Sequence, residues 1–160
     1  MRLILAAVGR LKDEAERALY DKYRSRFDTA GRSLSLGPLS LVELIEGKAA
    51  TAELRKADEA GRLLKACAGA GAIVALDERG RTLSSEAFAQ WLRDRRDGGE
   101  KSVAFLIGGP DGHGEAVLRE AGLKLSLGPM TLPHGLARIV LAEQLYRAAT
   151  LIAGHPYHRG

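Results

Sequence analysis

A single cysteine, Cys67, leaves no partner for an intrachain disulfide and no thiolate set for a zinc site, and it points to a reducing compartment. Aromatic residues make up only 5% of the chain, and no apolar run approaches the roughly 20 residues that a helix needs to cross a bilayer. The opening run Leu3 to Val8 is too short for the hydrophobic part of a secretory signal and is followed by no cleavage pattern, so it reads as a buried strand. There is no low-complexity segment and no linker. Nor does one sign of charge dominate: 24 Lys and Arg stand against 20 Asp and Glu, a formal charge of +4. That excess excludes a histone-like tail but suits a polyanionic partner. What is present, 160 residues with 46% hydrophobic and 28% charged, is enough for one core. The expectation is one soluble, cytoplasmic domain over residues 1–160.

Strand and helix patterns alternate along the chain. Leu3 to Gly9 has no polar alternation, as in a strand covered on both faces. Asp13 to Phe27 carries Ala15, Leu19, Tyr23 and Phe27 at helical spacing. Leu39 to Ile45 is a second strand, and Thr51 to Cys67 a second helix with Thr51 as N-cap and Glu53 in its first turn. Ala72 to Leu76 is a third strand, followed by a helix capped by Ser84 or Ser85 and stopped at Asp97-Gly98-Gly99. Val103 to Ile107, Gly114 to Ala121, Leu123 to Ser126 and Pro133 to Ala153 complete the alternation. This order predicts an α/β fold: a mostly parallel sheet with helices on both faces, joined by right-handed crossovers.

Ligands of open α/β sheets bind beyond the carboxyl ends of the strands. Three predicted strand ends carry unusual loops: Leu76 to Gly80, Ile107 to Gly112, and Leu127 to His134. Glycines such as Gly108 and Gly109 let main chain approach a ligand, and Pro110, Pro129 and Pro133 stiffen the loops. A flat heterocycle such as adenine would fit there, between Leu76, Leu127, Met130 and Leu132. Any one of these loops alone reads as an ordinary turn; three on successive strand ends favour a site.

Other cofactor chemistries lack their spacing. No Gly-x-Gly-x-x-Gly follows the first strand, and no P-loop or Gly-x-Ser-x-Gly elbow occurs. Of His113, His134, His155 and His158 only the last two lie close together, half a metal site at best, so no metal is expected.

Four segments, Leu106-Ile107-Gly108-Gly109-Pro110-Asp111-Gly112, Met130-Thr131-Leu132-Pro133-His134, Glu143 to Ala148 and the terminal His155-Pro156-Tyr157-His158-Arg159, together resemble the ribosomal RNA large subunit methyltransferase H family. The likeness extends over nearly the whole chain. It implies a SPOUT-class fold with a C-terminal trefoil knot over about residues 103–154, which topology rules alone would not propose. It further implies a homodimer that uses S-adenosylmethionine to methylate N3 of a pseudouridine in large-subunit ribosomal RNA, on assembled ribosomes. The cofactor-contacting positions carried over by motif are Leu76, Gly108, Leu127, Gly128, Pro129, Met130, Thr131 and Leu132, and the loop argument adds Gly109.

Such a reaction needs the methyl group held in line with N3 and a proton removed from that nitrogen. His134, beside the cofactor loop, is placed to take or relay the proton, or simply to cap the last helix. Arg138, one turn on, is placed to meet charge on a uracil oxygen or a phosphate. Glu143, among apolar neighbours, is expected to pair across an interface or with Arg147. The last helix presents Leu136, Ile139, Val140, Leu141, Leu145 and Tyr146 over more than one face, which suggests a two-fold partner. The tail groups His155, Tyr157, His158 and Arg159 are of the kinds that stack on bases and grip phosphates, and the resemblance places them beside the partner's cofactor. The competing reading is a non-catalytic nucleotide- or RNA-binding α/β module.

Overall fold

The computed structural model describes the backbone of residues 1–159 and side chains up to Tyr157, so the RNA contacts expected of the His158 and Arg159 side chains lie outside what is described. Strands and helices alternate as β1 (Arg2–Val8), α1 (Glu14–Gly31), β2 (Leu39–Leu44), α2 (Ala52–Ala66), β3 (Ala72–Thr82), α3 (Ser85–Asp97), β4 (Ser102–Ile107), α4 (Glu115–Glu120), β5 (Leu123–Ser126) and α5 (His134–Ala153). A short 3-10 turn, Pro156–Arg159, follows. Polar side chains start α1, α2 and α3: Asp13 accepts from the Glu16 N–H, Thr51 from that of Leu54 and Ser84 from that of Ala87.

All five strands are parallel, in the order β2-β1-β4-β3-β5. Every residue of the central β4 is buried, which explains its unbroken apolar run. Side chains alternate between two cores. Leu3, Leu5, Val103 and Phe105 join Phe27, Leu92 and Leu145 from α1, α3 and α5 on one face. Ala6, Val8, Ala104 and Leu106 join Ala60, Leu63 and Val117 from α2 and α4 on the other. Connections that step toward β2 run through α1 and α3, and those that step toward β5 run through α2 and α4, so the four crossovers share one hand.

Two elements differ from their sequence-based expectations. α1 runs on past Phe27 to Gly31, because nothing in Asp28-Thr29-Ala30 stops a helix. β3 does not end at Leu76. Residues 77–80 leave the ladder as a polar excursion, and Arg81 and Thr82 rejoin β5 opposite Leu125 and Ser126. Gly80 seats directly on the Lys124 carbonyl, where any Cβ would collide with main chain.

The last helix returns from the sheet's far edge. β5 lies outermost beyond β3, yet Gly135 at the start of α5 abuts Leu11 and Glu16 beside the beginning of α1. The segment 127–133 therefore crosses the carboxyl ends of β3 and β4. Among the described residues no helix is long and apolar enough to cross a membrane.

Candidate functional site

Beyond those carboxyl ends lies a cavity of about 450 Å³ walled by three stretches of chain: Leu76 to Arg79, Ile107 to His113, and part of Leu125 to Ala137. This volume falls within the roughly 300–1,000 Å³ of small-molecule sites. Of the nine expected cofactor positions, Leu76, Gly108, Gly109, Leu127, Gly128, Met130, Thr131 and Leu132 line it; Pro129 does not.

Each wall is held by local chemistry. In the loop after β4, the Gly112 N–H donates to the Gly109 carbonyl at 2.9 Å, closing a tight turn with Gly112 at φ +87°. A Cβ at Gly108 would stand 3.0 Å from Gly112 C and 3.2 Å from His113 Nδ1, so the main chain forms a cradle that a side chain would fill. Asp111 turns away from that cradle and pairs with Arg55 of α2 at 2.8 Å, and the guanidinium holds its carboxyl below the usual carboxylate range. In the loop after β5, Ser126 Oγ accepts from the Gly128 N–H at 3.1 Å and donates to the Gly128 carbonyl at 3.2 Å. Gly128 itself has φ +123°, a conformation open to glycine, which accounts for the absence of a side chain there. Thr131 Oγ1 reaches Glu78 Oε2 at 3.4 Å across the mouth, and Met130 is exposed beside it.

His134 is the first residue of α5 and lines the cavity; Pro133 occupies the N-cap position, so His134 does not cap the helix. Sequence reasoning did not single out His113. Its Nε2 lies 3.2 Å from the Leu106 carbonyl, its Nδ1 is buried without a partner, and burial pushes its pKa down, so the imidazole is neutral at pH 7. Only its place directly after Gly112 hinted at the cavity. The wall from residues 76–79 follows the expected loop Leu76 to Gly80; what the sequence did not show is that the strand resumes after it, at Arg81 and Thr82.

Arg138 departs from its expected role. It is 1% exposed, and its guanidinium donates to Glu43 Oε2 at 2.7 Å and to the Gly9 carbonyl at 2.6 Å. Desolvation opposes ionisation of Glu43, but the Leu11 N–H, Arg138 and Arg17 outweigh it and hold the carboxyl low. Arg138 thus ties α5 to the ends of β1 and β2 and has no open face for a phosphate or a base.

Glu143 pairs with Arg147 one turn on, at 2.6 Å. The tail docks against this pair. Tyr157 donates to Glu143 Oε1 at 3.0 Å, its ring centroid lies 4.5 Å from that of Tyr146, and the Arg147 guanidinium lies over the Tyr157 ring, 5.0 Å from its centroid. Burial and the carboxylate push the Tyr157 phenol up to about 12, so it remains a donor. His155 is exposed, its Nδ1 accepting from the Tyr157 N–H at 3.1 Å. Neither His155 nor Tyr157 lines the cavity of its own chain. The apolar width of α5 is largely used within the chain: Ile139, Leu141 and Leu145 are buried there, while Leu136 is exposed and Val140 and Tyr146 half-buried. Among the described residues no group of three His, Cys, Asp or Glu side chains is placed to hold a metal ion.

Fold and cavity together define a parallel α/β protein with a ligand-sized cavity at its strand ends, and a family described as "Predicted SPOUT methyltransferase" matches residues 1–158. The chain is 52% identical over 159 residues to ribosomal RNA large subunit methyltransferase H of Xanthobacter autotrophicus, and 50% identical over 159 residues to that of Brucella anthropi. Each alignment covers 99% of both proteins. A probable methylase family protein of Haemophilus influenzae shares the fold with a TM-score of 0.54 at 15% identity, over 98% of this chain and 69% of that one. The chain belongs to the ribosomal RNA large subunit methyltransferase H family of the SPOUT methyltransferases.

Proposed function

We propose that this protein transfers a methyl group from S-adenosylmethionine to N3 of a pseudouridine in large-subunit ribosomal RNA, as a cytoplasmic homodimer acting on assembled ribosomes. The observation that carries the reading is the glycine cradle of Gly108 to Gly112 facing the loop 127–132 across a ligand-sized cavity, in a chain of this family. The cavity fits the cofactor: apolar walls from Leu76, Leu125, Leu127 and Leu132 suit an adenine ring, and main chain at Gly108, Gly109 and Gly128 lines it with no side chain in the way. The cofactor supplies a methyl group already activated on a sulfonium, so the protein needs no nucleophile of its own.

What the chain contributes is position and proton management. The loops after β3, β4 and β5 hold the donor from three sides and exclude water from it. N3 gains the methyl carbon as it loses its proton, and His134, on the wall at the start of α5, is the group placed to receive or relay that proton. Glu143, Arg147 and Tyr157 form the tail's mooring, and the neighbouring stripe Leu136, Val140 is the surface left for a second copy. Through that dimer the tail, with His155 and Tyr157, serves the partner's cavity and the RNA. The passage of residues 127–133 over the strand ends, with α5 returning between α1 and α3, supports a knotted C-terminal region.

Calorimetric titration tests the cofactor assignment: binding of S-adenosylmethionine without binding of ATP or NAD is expected, and the reverse would leave a nucleotide-binding module without catalysis. Mass mapping of ribosomal RNA from a strain lacking the protein tests the substrate. Loss of one methyl group on a large-subunit pseudouridine is expected, and an unchanged map would overturn the proposal.

A further inference from the structure

Under the glycine loop, on the sheet face away from α5, two side chains of α2 each stand between two loops. Arg55 and Glu59 stand one turn apart and share a helix face. Arg55 Nε donates to Asp111 Oδ2 at 2.8 Å while its Nη1 donates to the Ala49 carbonyl at 3.1 Å. Glu59 is 3% exposed, and its Oε2 accepts from the Gly47 N–H at 2.7 Å. Its Oε1 is buried with no partner and faces Gly109, where an added Cβ would lie 3.0 Å away. The next residues of the same helix press on the loop as well: Gly114 sits over the Lys56 carbonyl and the Ala60 methyl.

We propose that Arg55 and Glu59 are positioning residues of the methyl-transfer site, joining the loop after β2, residues 45–51, and the glycine loop after β4 into a single mechanical unit. This rests on the cofactor occupying the cavity described above. The main chain of Gly108 to Gly112 is the cradle, and a cradle made of backbone has no side-chain packing of its own to keep its shape. The shape comes from beneath, through Asp111 and the close seat of Gly109 on Glu59. Because the same guanidinium and the same carboxylate also hold Ala49 and Gly47, the loop after β2 moves only if the cradle moves. A buried carboxylate oxygen with no partner is costly, and its retention directly below Gly109 is explained if the loop settles onto it when a ligand packs from above. Cofactor binding would then reach the exposed loop 45–51, which lies outside the cavity lining.

Amide hydrogen exchange on the full-length protein tests the tie, with and without S-adenosylmethionine. Without cofactor, Arg55→Gln is expected to speed exchange in both 45–51 and 108–112; unchanged exchange at 108–112 overturns the proposal whether or not the cofactor binds. With cofactor, the wild type is expected to slow exchange in both loops, and slowing at 108–112 alone likewise overturns it. Absence of any cofactor binding by the wild type strikes at the proposed function, leaving the cofactor-free comparison to decide the tie. In turnover assays Arg55→Gln and Asp111→Asn are each expected to raise KM for the cofactor about fivefold with kcat little changed, as suits a partly exposed pair. The double variant is expected to be no worse than either single one, and additive losses count against the coupling. Arg55→Lys, which keeps the charge but loses the two-armed reach, is expected to restore less than half of the effect.

Discussion

A methyl group on Gly109 would stand 3.0 Å from Glu59 Oε1 and 3.1 Å from Val8 Cγ1, two atoms that burial prevents from moving aside. Gly109→Val is therefore expected to abolish measurable cofactor binding, whereas Asp111→Ala, which removes a carboxylate committed to Arg55, is expected to weaken it only several-fold. Calorimetry on the two variants decides, and the opposite ranking would mean that side chains rather than main chain hold the cofactor. At Arg138 the expected loss is of stability. Arg138→Met leaves the Gly9 carbonyl without its donor and Glu43 with Arg17 and the Leu11 N–H alone. With Glu43 partly open to solvent, the cost is about 2 kcal/mol, or a fall in Tm of roughly 6 °C. The same carboxylate makes stability depend on pH. Its pKa is lower in the folded chain than its ordinary 4.5, so the stabilisation is fully present above about pH 4.5 and is lost as the pH falls through the lower, folded value. Denaturant melts of Glu43→Gln are expected to show a flatter loss of stability below pH 4.5 than the wild type; an equal slope would assign the acid sensitivity elsewhere.

The C-terminal turn is the element whose role is most separable from folding. Among the described residues its anchorage includes a hydrogen bond from Tyr157 to Glu143, ring contacts of Tyr157 with Tyr146 and Arg147, and the His155 N–H donating to the Thr150 carbonyl, while α5 already ends in the left-handed cap of Gly154. A chain ending at Gly154 is expected to stay folded, to remain dimeric and to bind S-adenosylmethionine, but to leave ribosomes unmethylated. Methyl incorporation into ribosomes measures this, and full activity in the shortened protein would reduce the tail to an ornament of α5. Elements of this kind differ in how readily the sequence displays them. β1 and β4 were legible because a strand covered on both faces has no polar position, and the caps at Thr51 and at Ser84 or Ser85 were legible because a hydroxyl before a helical stripe is a cap; the structure uses Ser84. The β3 excursion was not, because Asp77-Glu78-Arg79-Gly80 has the composition of a turn and only the later pairing of Arg81 and Thr82 with β5 shows that the strand resumes. The burial of Arg138 was not legible either: its partner Glu43 lies 95 residues away, and a lone arginine on a helix is ordinarily a solvated group.

For the whole molecule, the sequence-based inference of a dimer came from the apolar girth of α5, and the structure assigns most of that girth to α1 and α3. The stripe that remains, exposed Leu136 with half-buried Val140, Glu143 and Arg147, is spaced at four, three and four residues along one helix face. Light scattering at micromolar concentration is expected to return twice the 17.1 kDa chain mass, and a particle of 17.1 kDa would remove the partner-served tail along with the dimer.

Every residue that lines the cavity lies at or after Leu76, and the last wall is completed only by His134 and Ala137. The first 75 residues build the scaffold and contribute nothing to the lining. During synthesis the chain therefore emerges with its supporting sheet edge first and its binding wall last. While the final helix is still within the exit tunnel, neither the crossing segment 127–133 nor the start of α5 has taken its place. A nascent chain can thus have no ligand to guide its early folding. Whatever threading its C-terminal half undergoes must be driven by the apolar faces of α1 and α3 waiting for α5.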